Sequence, residues 1–494
     1  MGKLLCVVVM SAGILFAGCN SPVFTPVASP NPWQDDYSAL SSMDNYHSWG
    51  TYNVHDPSCC KLGDYYYMYS TDAILGENRR AEEKNVPLGF IQVRRSKDLV
   101  KWEFVGWAFP EIPHEAVEWV RSHADGKGAT NIWAPYIIPF GDKYRLYYCV
   151  SAFGLKTSYI GLAESASPEG PWMQRGCVVK TDATSVMNAI DPSIIADSAT
   201  GKWWMHYGSF FGGLYCVELN PETGLPVQEG DQGHLIARRA TYWKDNLEAP
   251  EIIYNPELKQ YYLFVSYDPL MTTYNVRVGR SDKAEGPFVD YFGVELKDTT
   301  NNFPILTAPY RFNNHPGWAG TAHCAVFTSD EGQYFMAHQG RLSPHNQMMD
   351  LHLRQVFFTS DGWPVVSPER YTGSASRKFS AADIVGEWEI IRVQEPAYER
   401  QLQAGQILWG EGQLKNEEWN VSCTLSLKKD GQLDENKGYW KFAERGQLLS
   451  LTLNGESVDN LLVFAGHDWE NETETVLFTG LDSRGRSVWG KRTK

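Results

Sequence analysis

The sequence predicts an all-β protein in which a five-bladed β-propeller is followed by a small antiparallel β-barrel or sandwich. One observation is a pattern of two short apolar strands around a polar turn, which recurs five times between residues 54 and 338. The other is a change near Phe379, beyond which apolar and polar residues alternate between tight turns. Runs of this length and composition are typical of β-hairpins rather than helices.

Residues 1–19 predict a lipoprotein signal peptide. They contain one basic residue, a short apolar run and small residues, and they end in F-A-G-C (16–19), which resembles a bacterial lipobox although Phe16 stands where Leu is usual. Cys19 is then the lipidation site, and residues 20–45, with Ser, Pro and Asp, are a tether. We therefore expect an exported lipoprotein, attached to the bacterial cell surface or outer membrane only by its lipid anchor.

Five copies of the hairpin pattern define the predicted propeller, residues 46–375. Four copies carry a proline at the head of the first strand, and these prolines are 78, 57 and 58 residues apart (Pro57, Pro135, Pro192 and Pro250). Such steps are long enough for a four-stranded blade with its loops. A fifth, weaker copy begins with A-H-C-A-V-F (322–327), and residues 351–366 supply two strands that complete the last blade. The alternative is a β-sandwich with coincidental aromatic hairpins.

Residues 380–494 form the second predicted unit, an accessory β-domain. Its segments, among them G-E-W-E-I-I-R-V and L-L-S-L-T-L, alternate apolar and polar residues as strands with one buried face do. No acidic pair stands out in this region, so we expect a structural or glycan-contacting role.

Composition limits the functions open to the protein. The formal net charge of -15 argues against nucleic acid as a partner, because phosphate backbones need a basic surface. Two of the nine cysteines fall in the signal peptide and no C-x-x-C pair occurs, which disfavours a zinc or redox site. The 13% of aromatic residues fill cores and also offer flat faces to sugars. We expect a monomer.

The repeat predicts that polar residues from distant segments meet. Because the first strand of each propeller blade ends at the central channel, we expect convergence of Asp56, the pair Trp133-Ala134, Asp191, Glu248 and His323. Three carboxylates in one pocket suit glycoside hydrolysis, in which one carboxyl group protonates the leaving oxygen and another activates water. A third carboxylate nearby can raise the pKa of the acid. Glu251 competes with Glu248 as the acid, and spacing does not separate the two.

The segments V-H-D-P, I-W-A-P, N-A-I-D-P, L-E-A-P and G-T-A-H together resemble glycoside hydrolase family 43. Within that family the chain is similar to endo-α-1,5-L-arabinanases, because V-S-A-F-G (150–154) and Y-G-S-F-F-G-G-L-Y (207–215) resemble segments that line the arabinanase substrate groove. The ending S-V-W-G-K-R resembles the accessory β-domain of extracellular arabinanases. The resemblance covers nearly the whole mature chain and implies that arabinan or arabino-oligosaccharides are the substrate.

The resemblance also implies the role of each acid. Asp56 would be the general base, Glu248 the general acid, and Asp191 the residue that tunes the pKa of the acid and orients it. The choice of Glu248 over Glu251 comes from the resemblance. Family members invert configuration, so the base and the acid are expected roughly 6.5–9.5 Å apart.

The resemblance places His323 at a metal, usually calcium, in the central channel. The local sequence A-H-C-A departs from the family's Gly-His-Asn pattern, and the alternative is a channel histidine bonded to a carboxylate. Trp133 and Phe153 are expected to stack on sugar rings, with plain packing as the alternative. Asn188 and Ser209 are expected to bind sugar hydroxyls.

Two other functions stay open at this stage. One is an exo-acting α-L-arabinofuranosidase or β-xylosidase of the same family, which uses the same three acids. The other is a surface lipoprotein that binds glycans without catalysis, although the three retained acids argue against it.

Overall fold

The structure is a computed structural model that describes residues 49–73, 89–239, 246–298, 301–344, 349–396, 414–434 and 437–493. The predicted signal peptide, the lipidation site Cys19 and the tether lie outside the described residues. Within the described ranges, no helix has the length and apolar character needed to cross a membrane.

Four antiparallel sheets of four strands follow one another along the chain, and each has its strands in chain order. The first contains β1 (His55–Leu62), β2 (Tyr65–Thr71), β3 (Phe90–Ser96) and β4 (Glu103–Phe109). Helix α1 (His114–His123) leads to the second, which contains β5 (Trp133–Phe140), β6 (Lys143–Ser151), β7 (Ser158–Ser165) and β8 (Met173–Thr181). The third contains β9 (Ser193–Ala196), β10 (Trp203–Tyr207), β11 (Leu214–Leu219) and β12 (His234–Ala237). The fourth contains β13 (Leu247–Asn255), β14 (Gln260–Tyr267), β15 (Asn275–Ser281) and β16 (Ile305–Thr307). The predictions of an all-β fold and of repeated four-stranded blades are confirmed.

The fifth sheet is larger than the other four. Its strands in the first part of the chain are β17 (Tyr310–Arg311), β18 (Trp318–Ala319), β19 (Cys324–Thr328), β20 (Tyr334–Leu342), β21 (Met349–Phe358) and β22 (Pro364–Val366). Strands β19 to β22 pair in series, and β18 also pairs with β20. Strand β17 pairs with β18 and, in parallel, with the later strand β24 (Asn420–Val421).

The first strands of these sheets lie next to one another. Strand β1 contacts β5 and β19, β9 contacts β5 and β13, and β13 contacts β19. Their starts therefore surround one space.

The C-terminal region begins with helix α2 (Ala381–Ile384) and forms a seven-stranded sheet. Its strands are β23 (Gly386–Arg392), β25 (Cys423–Leu427), β26 (Gly438–Ala443), β27 (Leu448–Leu453), β28 (Glu456–Asp468), β29 (Thr473–Leu481) and β30 (Ser487–Arg492). A short 3-10 helix, Asn416–Glu418, precedes β24. The strand order is β25-β23-β30-β29-β28-β27-β26, and every pair is antiparallel.

The C-terminal sheet shares a hydrophobic core with the fifth sheet. Trp489 packs edge-to-face on Tyr310, with ring centroids 5.4 Å apart, and both belong to one buried cluster with Trp318 and Ile391. The Ser487 hydroxyl donates a 3.0 Å hydrogen bond to the carbonyl of Ile305. The C-terminal sheet thus packs against the fifth sheet through this cluster and bonds to β16 of the fourth sheet through Ser487.

Candidate active site

A cavity of about 260 Å³ opens where the first strands begin. Its wall contains all the residues that the sequence predicts for catalysis, substrate binding and metal binding: Trp133, Phe153, Asn188, Ser209, Asp56, Asp191, Glu248 and His323. The fold therefore brings together residues that are far apart in the chain.

Left-handed residues explain how one strand gives neighbouring side chains to the cavity. At the start of the five first strands, one residue has a positive φ: Asp56 (49°), Ala134 (39°), Asp191 (58°), Ala249 (54°) and His323 (52°). The strand ladder is interrupted there in the first, second and fourth sheets. Consecutive side chains of a regular strand alternate between its two faces, but at this kink both His55 and Asp56 line the cavity.

This geometry shifts the alignment of the five repeat copies by one residue at the fourth copy. Ala249, not Glu248, is the equivalent of Asp56 and Asp191, and Glu248 corresponds to Trp133, one position earlier. The sequence pattern missed the offset because carboxylates were matched to one another. The structure shows that the left-handed residue, which precedes a proline in four of the five copies, defines the repeat.

Asp56 is held by three side chains. Its Oδ1 lies 2.9 Å from Nδ1 of His323, and its Oδ2 lies 2.8 Å from Nδ1 of His55 and accepts a 2.8 Å hydrogen bond from the Thr71 hydroxyl. Burial alone would raise the pKa of Asp56, but the two histidines, His323 foremost, hold that pKa well below its usual value. The carboxyl group is therefore ionised at neutral pH.

The two histidines beside Asp56 differ in charge. Burial would lower the pKa of His323, but Asp56 and the other carboxylates raise it to about 9, so this imidazole is a cation at neutral pH. Burial also acts on His55, and there it outweighs Asp56 and lowers the pKa below its usual value. His323 therefore carries the positive charge of the pair.

The donor set around His323 fits a calcium ion poorly. Calcium takes about six to eight oxygen ligands, whereas His323 offers an imidazole whose Nδ1 contacts Asp56. In the part of the chain that the structure describes, acids close enough to share an ion occur elsewhere, at Glu369, Asp468 and Glu470, and the Lys491 ammonium lies among them. The geometry at His323 matches the alternative expectation of a channel histidine paired with a carboxylate.

Asp191 is buried, although it also lines the cavity. Its Oδ2 accepts a 3.2 Å hydrogen bond from the backbone N–H of Ala249, the residue after Glu248. Burial raises the pKa of Asp191 well above its usual value, and the charges of Glu248 and Asp56 add to this rise while His323 opposes it. The surroundings of Asp191 therefore favour the protonated form of its carboxyl group.

Both carboxyl oxygens of Glu248 accept hydrogen bonds from hydroxyl groups. Ser209 donates to Oε2 and Tyr274 donates to Oε1, each at 2.7 Å. Glu248 is partly exposed to the cavity, while Tyr274 is buried. Ser209 thus contacts a carboxylate in addition to lining the space where the sequence predicts a sugar.

Glu251, the competing acid, lies outside the cavity wall. Its Oε2 accepts a 2.8 Å hydrogen bond from the Ser193 hydroxyl, and its Oε1 accepts a 2.9 Å bond from the backbone N–H of Val326. Glu251 therefore links the third, fourth and fifth sheets, and this placement favours Glu248 as the acid.

Two aromatic side chains form one wall of the cavity. Trp133 and Phe153 pack edge-to-face with ring centroids 6.3 Å apart, and 46% of the Phe153 side chain is exposed. Nearby, Oδ1 of Asn188 accepts a 2.6 Å hydrogen bond from the Ser158 hydroxyl, which fixes the orientation of the amide. An exposed ring next to a fixed amide can hold the apolar face and a hydroxyl of one sugar.

The structure adds residues that the sequence analysis did not single out. Further residues line the cavity or contact its carboxylates: His55, Thr71, Asn131, Phe211, Met271, Tyr274 and Arg341. Phe211 lies within the segment Y-G-S-F-F-G-G-L-Y, so a sequence signal existed for it. Thr71 and Arg341 lie near the ends of the second strands β2 and β20, where the proline-based repeat gives no marker.

Two family models match the chain. Residues 50–364, which include every cavity residue, match the model of glycosyl hydrolases family 43. Residues 368–490 match a model described as a C-terminal lipocalin-like domain. The resemblance inferred from the motifs is confirmed.

Characterised relatives extend this comparison. An extracellular endo-α-(1→5)-L-arabinanase of Thermotoga petrophila is 29% identical over 489 residues, covering 89% of this chain and 94% of the relative. An extracellular exo-α-(1→5)-L-arabinofuranosidase of Cellvibrio japonicus is 30% identical over 344 residues, covering 66% and 90%. The crystal structure of an endo-1,5-α-L-arabinanase from Thermotoga petrophila RKU-1 superposes with a TM-score of 0.74 at 27% identity and covers 90% of this chain and 99% of that one.

Proposed function

The chain belongs to glycosyl hydrolase family 43, and from this premise we propose that it is an inverting endo-arabinanase that cleaves internal α-1,5-L-arabinofuranosidic bonds of arabinan. The observation that carries the proposal is the meeting of Asp56, Asp191 and Glu248 in one cavity. The substrate class is supported by the endo-arabinanase relative, which aligns along nearly its whole length.

Asp56 acts as the general base. Because its pKa is held well below the usual value, the carboxylate is free of protons at neutral pH. It takes a proton from the water that attacks the anomeric carbon, and the His323 cation stabilises its charge until that moment.

Glu248 acts as the general acid and gives its proton to the glycosidic oxygen as the bond to the anomeric carbon breaks. Asp191 positions Glu248 through the backbone of Ala249 and adds negative charge behind it when ionised. Water attacks from the face opposite the leaving group, so the configuration of the new hemiacetal is inverted. In each reaction Asp56 gains one proton and Glu248 loses one. Proton exchange with solvent then returns both groups to their starting protonation states.

Substrate contacts follow from the cavity wall. Trp133 and Phe153 supply ring faces or edges to arabinofuranose units, and Asn188 supplies a fixed amide. Ser209 contacts a sugar hydroxyl with its lone pairs while it donates to Glu248.

Calcium in the channel remains a prediction. If an ion binds, His323 offers it one imidazole nitrogen and water completes the shell, and the reaction described above uses no step at the metal. Elemental analysis of the purified protein, before and after chelation, tests this directly.

We further propose that the fifth sheet acts as the fifth blade of a propeller spanning residues 46–375, with residues 380–494 as the accessory β-domain. The serial pairing of β19 to β22 and the contacts of β19 with both β1 and β13 support this count. Export is supported by the extracellular relatives, and lipidation at Cys19 is testable by the release of a Cys19→Ala variant from membranes.

An exo-acting enzyme is the second candidate, because the Cellvibrio relative is an exo-α-(1→5)-L-arabinofuranosidase. The product profile on debranched arabinan, followed over time and compared with xylan, distinguishes the two. An endo enzyme releases mixed oligosaccharides and lowers viscosity early, while an exo enzyme releases one short product from the start.

The variants Glu248→Gln and Glu251→Gln test the acid in the same assay. We expect Glu248→Gln to lower kcat on arabinan by roughly 100- to 10,000-fold, the usual contribution of a general acid, and Glu251→Gln to retain activity. Loss of activity in Glu251→Gln with a normally folded, active Glu248→Gln contradicts the assignment.

A further inference from the structure

Tyr274 donates a 2.7 Å hydrogen bond from its hydroxyl to Oε1 of Glu248. The residue stands directly before β15, is 1% exposed, and its ring belongs to the core cluster that contains Val276 and Trp318. A ring fixed by packing holds its hydroxyl in one position, so the 2.7 Å contact with Oε1 also fixes the rotation of the carboxyl group.

The two oxygens of Glu248 face different surroundings. Oε2 is bonded by Ser209, which lines the cavity, whereas Oε1 is bonded by Tyr274, which does not. The oxygen that reaches a glycosidic bond is therefore Oε2, and a proton on Oε1 would be directed into the core and lost for catalysis.

We propose that Tyr274 is a positioning residue that selects Oε2 as the protonated oxygen of the general acid. This inference rests on the proposed function. The Tyr274 O–H donates to Oε1, so Oε1 acts as the carbonyl-type oxygen. The Ser209 hydroxyl, which donates to Oε2 in the carboxylate form, rotates when the acid is protonated, so that its lone pairs face Oε2 and the carboxyl proton resides there. When that proton passes to the leaving oxygen, negative charge forms on the carboxylate, and the same O–H bond stabilises it.

The variant Tyr274→Phe removes the hydroxyl and keeps the ring. We expect kcat on debranched arabinan to fall roughly 10- to 100-fold, part of what a general acid contributes, with KM unchanged. A dinitrophenyl arabinotrioside needs no proton on its leaving group, so its kcat should change by less than about 3-fold. Loss of general structure would instead lower kcat on both substrates equally.

The matched control is Tyr147→Phe, because Tyr147 is also buried, its hydroxyl donates a 3.0 Å hydrogen bond to the carbonyl of Gly224, and neither residue lines the cavity. This variant should leave the ratio of the two kcat values at the wild-type level. A Tyr274→Phe variant with unchanged kcat on arabinan, or with equal losses on both substrates, overturns the inference while the proposed function stands. A wild type that hydrolyses neither substrate overturns the proposed function, and the inference with it.

Neutron diffraction of the unaltered protein tests the proton directly if Tyr274→Phe does not fold. We expect a deuteron on the Tyr274 oxygen directed at Oε1 and, near the acidic end of the activity range, a deuteron on Oε2 of Glu248. A deuteron on Oε1 overturns the inference.

Discussion

At the scale of single residues, two carboxylates that are close in the sequence, Glu248 and Glu251, lie in different surroundings. Glu248 and Glu251 are three positions apart on β13, yet Glu248 lines the cavity while Glu251 is bonded between sheets. Burial raises the pKa of Glu251 to about 7, although its two hydrogen bonds oppose the rise. The protein therefore keeps this carboxyl group protonated in the native state at pH values where the unfolded chain has released the proton.

Glu251 should make stability fall as pH rises. Its pKa is higher in the folded state than in the unfolded chain, so the native state binds more protons between about pH 4.5 and 7, and stability decreases across that window. Glu251→Gln keeps both hydrogen bonds, since its amide oxygen accepts from Val326 and its NH2 donates to Ser193. We expect the variant to gain up to about 3 kcal/mol relative to wild type at pH 8 and nearly nothing at pH 4. Urea unfolding at the two pH values measures this, and an equal difference at both would contradict it.

Phe153 should act on binding rather than on stability, because 46% of its side chain is exposed. We expect Phe153→Ala to raise KM for arabinan by roughly 2- to 10-fold, the value of one aromatic contact, and to leave the free energy of unfolding within about 0.5 kcal/mol. Phe292→Ala is the control, since Phe292 is 57% exposed and does not line the cavity. Equal KM values for the two variants would show that Phe153 does not contribute to substrate binding.

At the scale of the strand, the left-handed residue at the start of each first strand allows neighbouring side chains to line the same cavity. Ala134 occupies this position in β5 with φ of 39°, a region that costs an L-residue about 1–2 kcal/mol. The same region favours glycine. Replacing this alanine therefore tests how much strain the kink contains.

Ala134→Gly should be tolerated far better than the same change elsewhere in the second sheet. Relief of strain at Ala134 offsets the extra freedom of glycine in the unfolded chain. Ala163 in β7 is equally buried but has no positive φ, so Ala163→Gly has no such compensation. In urea unfolding, we expect Ala163→Gly to lower the free energy of unfolding by about 1 kcal/mol or more beyond the effect of Ala134→Gly. If Ala134→Gly is the more destabilising change, the kink is not strained.

Sequence patterns at this scale predicted the strands and the cavity but not the register within the kink. Proline spacing located the first strands, and the motif resemblance selected Asp56, Asp191 and Glu248, all of which line one cavity. The offset between Glu248 and Asp56 was missed because it depends on backbone φ, which side-chain type does not encode for Ala or Asp. Tyr274 and Thr71 were missed because each acts through a contact with a residue on another strand, which no local pattern records.

At the scale of the whole molecule, the sequence predicted two units and did not predict how closely they join. Alternation in residues 380–494 shows which face of each strand is buried, but not which partner buries it. In the structure, Trp489 and Ile391 enter the core of the fifth sheet, and β24 extends that sheet by parallel pairing. A chain that ends at residue 375 should therefore expose this core, and we expect it to be insoluble or to unfold at a lower temperature than the full chain. A soluble, fully active fragment would show that the C-terminal sheet is dispensable.

The buried ammonium group of Lys491 forms ion pairs with carboxylates of both regions. It lies 2.9 Å from both Glu369 and Asp468 and also contacts Glu470, and the Lys491 and Asp468 side chains have no exposed surface. Burial would lower the pKa of Lys491, but these carboxylates raise it well above its usual value, so the group stays charged. Glu369 follows β22 of the fifth sheet, while the other three residues belong to the C-terminal region.

Lys491→Met should leave three buried carboxyl groups without their cation. Removing one partner of a buried ion pair costs about 3–5 kcal/mol, because the remaining charge is uncompensated. The double variant Lys491→Met/Glu369→Gln removes one of those charges as well, so we expect it to recover about 1–2 kcal/mol, a coupling that independent sites do not show. Urea unfolding of the wild type, both single variants and the double variant gives this coupling. If the losses of unfolding free energy in the two single variants add up to the loss in the double variant, Lys491 does not join the two regions through Glu369. If the double variant instead recovers stability, the ion pair between Lys491 and Glu369 fixes the C-terminal sheet against the fifth sheet.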